Sequence, residues 1–258
     1  MNKLAVVPFA TALLFSSATF AGSATNNDIL TDGTWTGWTQ LTDDDGETSP
    51  GVGGQAFDTE YLFWRRSGTT LEIGLQTGFN LVDNKQTYGG DPYWGGDLQL
   101  IVNGTEYGVD SGQETATYVG DFVDTTTDTT GVDTAGVYSG VTWNNEVYHG
   151  HHAADPFAID AGTLVAGALM NVVNGSGMAN KDGGGTVLTY FRQYSIDVSN
   201  LTPAYSAGSD LTVYAHWTMS CGNDWIDGTF NSVGVPSPAG ILFVLAGLAG
   251  IAARRRIA

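Results

Sequence analysis

Between Leu71 and Gln76 the chain alternates apolar and polar residues one by one: Leu71, Ile73 and Leu75 against Glu72, Gly74 and Gln76. Side chains of a β-strand point to opposite faces in turn, so this period predicts a strand with one buried face and one wet face. The run Thr70–Thr77 follows Tyr61–Arg66 across Ser67-Gly68-Thr69, a short loop containing glycine, and the two predict a hairpin. Asp97–Val102 and Thr105–Asp110 flank Asn103-Gly104, the dipeptide best suited to a two-residue turn with φ > 0 at both positions. Thr186–Asp197 and Leu211–Met219 are further strands, the latter with Leu211, Val213, Ala215 and Trp217 on one face. Leu164–Val173 fits a strand or a short helix equally well.

Glycine (36 of 258 residues) falls mostly between these runs, and Gly, Asp, Asn and Thr fill long connections at 31–56, 78–96 and 111–136. No fixed-period repeat and no long amphipathic helix interrupts the pattern. The expectation is one all-β domain, an antiparallel β-sandwich of jelly-roll type, over residues 22–233.

The two ends follow other rules. Lys3, an apolar run from Leu4 to Phe15 and the small residues up to Gly22 have the order of a secretory signal peptide. The run is too short for the roughly 20 residues of a spanning helix. Residues 1–21 are expected to be removed, with Thr19 and Ala21 at the small-residue positions of the cleavage site. At the other end, residues 234–258 contain Val235-Pro236-Ser237-Pro238, an uncharged stretch from Ala239 to Ala253, and Arg254-Arg255-Arg256. The prolines cannot continue a strand or enter a helix interior. The stretch, about 22 Å long as a helix, reads as a short transmembrane segment whose arginines stay on the cytoplasmic side.

This tail resembles the PEP-CTERM sorting signal of Gram-negative bacteria. The likeness rests on Val235, Pro236, Pro238, the apolar segment and Arg254–Arg256, and departs from the usual glutamate at Ser237. It implies processing by an exosortase-like membrane transpeptidase and delivery to the cell surface or an exopolysaccharide matrix. The stretches TEYLFWRRSGTTLEIGLQTGFN, GGDLQLIVNGTEYGVD and AHWTMSCGNDWIDG are similar to those of exosortase-dependent surface proteins carrying such tails.

Charge narrows the partners. All 27 acidic residues lie in the body, against five basic ones (Arg65, Arg66, Lys85, Lys181, Arg192), leaving it a formal charge of −22. Such a surface repels nucleic acid and anionic headgroups and attracts divalent cations. The single cysteine, Cys221, has no internal partner and reads as a small buried hydrophobe.

Catalytic patterns are weak. No phosphate loop with its lysine occurs, Asn174-Gly175-Ser176-Gly177-Met178 lacks the outer glycines of a nucleophile elbow, and His-Glu-x-x-His is missing. His149 and His151, two apart on an extended segment, with Asp155 beside them, are candidate metal ligands. Ca²⁺ is the more natural ion for carboxylates and loop carbonyls, and Asp43–Glu47 and Cys221–Asp224 could each offer oxygens. Turn-forming use of Asp, Asn and Gly explains both segments equally well. Trp35, Trp38, Tyr93, Trp94 and Trp143 lie in or beside polar loops and are candidates for stacking on sugars, with core capping as the competing use. Two functions follow: a non-enzymatic surface or matrix protein that binds polysaccharide or Ca²⁺, or a secreted glycosidase or lyase. The second needs paired carboxylates facing one cleft, drawn from Glu60, Glu72, Glu106 and Glu146.

Overall fold

A computed structural model describes residues 29–43, 54–118, 127–128, 131–145, 152–180, 185–201 and 209–232. The signal segment, the C-terminal tail, His149, His151, Glu146 and Asp44–Glu47 lie outside these residues.

The described chain is built of antiparallel strands. They are β1 (Thr39–Asp43), β2 (Thr59–Ser67), β3 (Thr70–Thr77), β4 (Lys85–Tyr88), β5 (Asp91–Trp94), β6 (Leu98–Val102), β7 (Thr105–Asp110) and β8 (Thr117–Tyr118). Then come β9 (Thr127–Asp128), β10 (Gly136–Asn144), β11 (Ala158–Leu164), β12 (Leu169–Asn180), β13 (Thr186–Asp197), β14 (Leu211–Thr218) and β15 (Trp225–Ser232). One sheet runs β1-β2-β3-β13-β12 and the other β11-β10-β7-β6-β14-β15, with two small accessory pairs, β4-β5 and β8-β9.

Local chemistry sets the hairpins. Asn103 and Gly104 adopt φ of 49° and 81°, the doubly left-handed turn expected of them, and pair Val102 with Thr105. Gly68 supplies φ 62° in a two-residue loop that pairs Ser67 with Thr70, so Ser67 belongs to the strand and not to the turn. The ambiguous run Leu164–Val173 is neither one strand nor a helix. Leu164 closes β11, Gly167 turns the chain at φ 73°, and Leu169 opens β12 in the other sheet. The connections at 31–56, 78–96 and 111–136 are not plain loops either, since they hold β1, β4 with β5, and β8 with β9.

The two sheets share one core. Leu71, Ile73 and Leu75 from β3 meet Leu98, Leu100 and Val102 from β6 and Leu211, Val213, Ala215 and Trp217 from β14, all essentially sealed from solvent. Each large aliphatic buried this way contributes about 1.5–3 kcal/mol through the hydrophobic effect. The period of two read from Leu71 and from Leu211 is therefore the inner face of a sheet.

The outer face of the first sheet is covered by residues 29–38. Leu30 and Trp35 pack there on Tyr61 and Phe63 as a second, smaller cluster. Trp35 lies flat on Phe63 with ring centroids 4.2 Å apart. Gly74 makes that approach possible, because a Cβ there would sit 2.3 Å from the Trp35 ring.

Candidate functional site

The register of the β6–β7 hairpin places Asp97 and Asp110 opposite each other, one step beyond the Leu98–Val109 pair. Both are buried, at 1% and 0% exposure. The Asp97 backbone N–H donates to the Phe157 carbonyl at 2.9 Å, and its Oδ2 accepts from the Ile159 N–H at 2.8 Å. Asp110 Oδ1 accepts from the Gly112 N–H. The second oxygen of each, Asp97 Oδ1 and Asp110 Oδ2, has no hydrogen-bond partner.

Arg192 of β13 reaches into the same end of the molecule. Its Nε donates to Asn174 Oδ1 at 2.8 Å, and its Nη2 donates to the Leu81 carbonyl at 2.9 Å, to Asn84 Oδ1 at 3.0 Å and to Gln113 Oε1. Asn84 takes φ 52° and donates in turn to the Gly95 and Glu114 carbonyls. Asp133 stands nearby, with Oδ1 accepting from the Thr115 N–H and hydroxyl. The guanidinium thus hydrogen-bonds to neutral acceptors, while its charge acts on the carboxylates across the cluster.

Burial outweighs that attraction. Loss of water raises the Asp97 carboxyl well above the ordinary carboxylate range, and the neighbouring Asp110 charge raises it further. Asp110 is pushed up to about 7, chiefly by burial, with the Asp133 charge adding and the Gly112 N–H opposing. Both carboxyls therefore hold their protons to higher pH than an ordinary carboxylate does. The arrangement is a buried polar cluster between the two sheets' strands, away from solvent. A sugar cannot reach oxygens that solvent does not reach.

A second polar network lies under residues 29–38. Glu60, fully buried, accepts from Gln76 Nε2 at 2.6 Å, from Gln55 Nε2 at 2.5 Å and from the Thr189 hydroxyl at 2.5 Å. Gln76 Oε1 accepts from the Trp35 indole N–H at 2.7 Å and the Leu30 N–H at 3.2 Å. Glu60 therefore anchors the covering segment through Gln76.

The residues singled out by sequence fall in separate places. Trp35 is buried in the smaller cluster, edge to face with Trp38 at 5.2 Å. Trp38 is partly exposed, with the Arg65 guanidinium 4.3 Å above its ring. Tyr93 and Trp94 are buried in the main core, and Phe57 meets Tyr93 edge to face. Trp143 is partly exposed on the other sheet, its indole N–H donating to Glu106 Oε1 at 3.0 Å. No single stacking platform gathers these five rings. Core capping is the use the structure gives Trp35, Tyr93 and Trp94.

The carboxylates fall apart in the same way. Glu72 pairs with Arg65 at 2.6 Å, and Glu106 is on the opposite sheet from Glu60. Asp224 is a structural acceptor: Oδ2 takes the Thr59 N–H at 2.7 Å and the Thr59 hydroxyl at 2.8 Å, and Oδ1 takes the Trp225 N–H at 3.0 Å. Asp155 is partly buried and precedes a cis proline, Pro156. Among the described residues no three acidic, histidine or cysteine side chains converge as ligands for one ion. Cys221 is buried, and desolvation pushes its thiol up to about 12, leaving it an inert hydrophobe. Burial likewise lowers His216, whose Nε2 lies 3.1 Å from the Ala154 carbonyl.

Of the two aspartates, only their adjacency across the hairpin was legible in the sequence. A two-residue turn at Asn103-Gly104 fixes the register from Val102–Thr105 to Leu98–Val109, and one further step along it sets position 97 across from position 110. Set against protein-family models, curated proteins and solved structures, the chain matches none.

Proposed function

We propose that the chain is a non-enzymatic exported protein of the bacterial cell surface or extracellular matrix, sorted through its C-terminal tail by an exosortase-like membrane transpeptidase. The observation that carries this reading is the ordering of the two ends. An export signal at 1–21 and the Val235-Pro236-Ser237-Pro238, apolar, triple-arginine sequence at 235–256 bracket a body holding every acidic residue of the chain. In this reading residues 22–233 are the working ectodomain, and the tail spans the membrane only until it is processed.

The scaffold is taken as a sandwich of the jelly-roll kind. Support comes from sheet neighbours drawn from distant parts of the chain, β3 with β13 and β6 with β14. The two pairings interleave, which departs from the nested pairings of a single rolled hairpin. The body's charge suits a hydrated exopolysaccharide layer, where it resists aggregation and concentrates Ca²⁺ near its surface. Exopolysaccharide is the proposed environment and ligand class, with Trp38 and Trp143 as the candidate rings that retain solvent exposure.

Export and sorting are tested by fractionating cells that express the wild type, a Pro236→Ala/Pro238→Ala double variant, or a chain lacking Arg254–Arg256. The reading expects surface or matrix material from the wild type alone, with both variants held in the membrane fraction. Identical surface yields from all three would defeat it.

A further inference from the structure

Residues 29–38 cover the outer face of the first sheet, but part of the second sheet's outer face meets solvent. Strand alternation turns Gln99 and Ile101 of β6, Glu106 of β7, Tyr214 of β14 and Asp227 of β15 outward, because their chain neighbours Leu100, Tyr107, Val213 and Ile226 are buried in the core. The ladder sets Glu106, Ile101 and Tyr214 side by side in one row, and Gln99, His216 and Asp227 in the next. Glu106 and Asp227 are exposed, and Gln99, Ile101 and Tyr214 are half-buried. His216 is buried against the Ala154 carbonyl, so the open surface begins at the row of Tyr214.

Two rings stand on this surface. Trp143 of β10 lies beside Glu106, whose Oε1 accepts both the indole N–H at 3.0 Å and the Gln99 amide at 2.6 Å. The Tyr214 hydroxyl donates to Asp227 Oδ2 at 3.2 Å, and burial together with the Asp227 charge pushes the phenol up to about 12, so it stays a neutral donor. With neighbouring strands about 4.8 Å apart, Glu106 and Tyr214 stand roughly 10 Å apart across Ile101, the reach of a short oligosaccharide. Ile101 and the two rings thus form an apolar floor edged by fixed acceptors. One oxygen of each carboxylate is engaged, while Glu106 Oε2 and Asp227 Oδ1 accept no hydrogen bond among the described residues.

We propose that this surface binds an uncharged polysaccharide, laid across β7, β6 and β14 with sugar rings on Trp143 and Tyr214 and hydroxyls donating to Glu106 and Asp227. The proposal rests on the exopolysaccharide reading above and gives it a site and a charge class. Charge and shape select the occupant. None of the body's five basic residues belongs to β6, β7, β10, β14 or β15, so an acidic polymer would meet carboxylates with no cation beside them. A protein partner would bury both carboxylates inside its contact, where interfaces are depleted of charge. Glu106 and Asp227 lie three strands apart, too far to share one ion. A neutral sugar has the complementary make-up: an apolar C–H face for the rings and hydroxyl donors for the acceptors. Trp38 is a poorer platform, because the Arg65 guanidinium lies over its ring and Trp35 meets it edge to face.

The full chain in mild detergent is run on native gels containing hydroxyethyl cellulose, galactomannan or dextran as neutral polymers, with alginate as the acidic comparison. Retardation by at least one neutral polymer and none by alginate is expected. Trp143→Ala and Tyr214→Ala should each weaken binding about tenfold with the fold intact by circular dichroism. Tyr214→Phe, which keeps the ring, should lose less, and Tyr88→Ala, an exposed ring on β4, should change nothing. No retardation by any polymer overturns this site and exopolysaccharide as the ligand class together. Retardation that Trp143→Ala and Tyr214→Ala leave unchanged, that Trp38→Ala alone abolishes, or that alginate causes more strongly than every neutral polymer overturns this site and leaves the ligand class standing. Surface sorting is decided separately, by the fractionation above.

Discussion

Trp64 of β2 lies flat on Phe230 of β15, with ring centroids 4.3 Å apart and planes tilted by 17°. The two residues belong to different sheets, so this stack fastens one sheet to the other at β2 and β15. Offset aromatic pairs add about 0.5–1.5 kcal/mol beyond the area they bury. Phe230→Ala removes both contributions and leaves a void at a nearly sealed position. The expected loss in urea unfolding is about 3–5 kcal/mol. A loss below about 1 kcal/mol would mean that the sheets are held together elsewhere.

Glu60→Ala is expected to be costly for a different reason. It leaves the buried Gln76 donor unmatched, at about 1–3 kcal/mol, whereas half-buried Gln55 can turn to water and the Thr189 hydroxyl can donate to the Thr77 carbonyl instead. The predicted destabilisation is about 1–3 kcal/mol. Because Gln76 also accepts from Trp35 and Leu30, hydrogen exchange at those two groups should quicken together. Exchange that stays at the wild-type rate would separate the covering segment from Glu60.

Gly74→Ala tests the same segment by shape alone. The added methyl would overlap the Trp35 ring, whose position is fixed from below by Phe63. Residues 29–38 should lift from the sheet while the main core stays folded. The readout is selective protease cleavage in this segment with near-wild-type resistance elsewhere. Unchanged resistance at the segment would contradict the packing described.

The Asp97–Asp110 pair sets a pH dependence. Both carboxyls bind protons more tightly folded than unfolded, so the folded state holds more protons between the unfolded value near 4 and the raised folded values. Stability therefore falls as pH rises through this window, by up to about 1.4 kcal/mol per pH unit for each proton. Asp110→Asn removes one of the two titrations and should flatten the decline in melting temperature between pH 5 and pH 8. Asp32 and Asp197, held below the usual range mainly by hydrogen bonds from Thr34 and Ser199, act in the opposite sense and only at more acid pH. A steeper decline in the variant than in the wild type would refute the assignment.

Much of this architecture is written in short-range patterns. Leu71-Ile73-Leu75 and Asn103-Gly104 are local signals, and both appear in the structure as a buried face and a two-residue hairpin. The run from Leu164 to Val173 was not legible because its apolar residues serve two strands in different sheets, and only Gly167 marks the break. The coupled aspartates were hidden for a related reason. Asp beside Gly at a strand end usually means a turn, and burial of Asp97 depends on Phe157 and Ile159, some sixty residues away in the chain. Sequence could list Trp35, Trp38 and Trp143 as rings near loops. Which of them faces solvent depends on Phe63, Arg65 and Glu106, which only the folded chain brings to them.

If both ends are processing signals, as proposed, the acidic body is the mature product. Intact-mass measurement of the protein recovered from the surface of its native cells tests this most directly. The expected product is a chain beginning at Gly22 and ending near Val235–Pro238, without Arg254–Arg256. Recovery of the full 258-residue chain, or of protein confined to the cytoplasm, would contradict it.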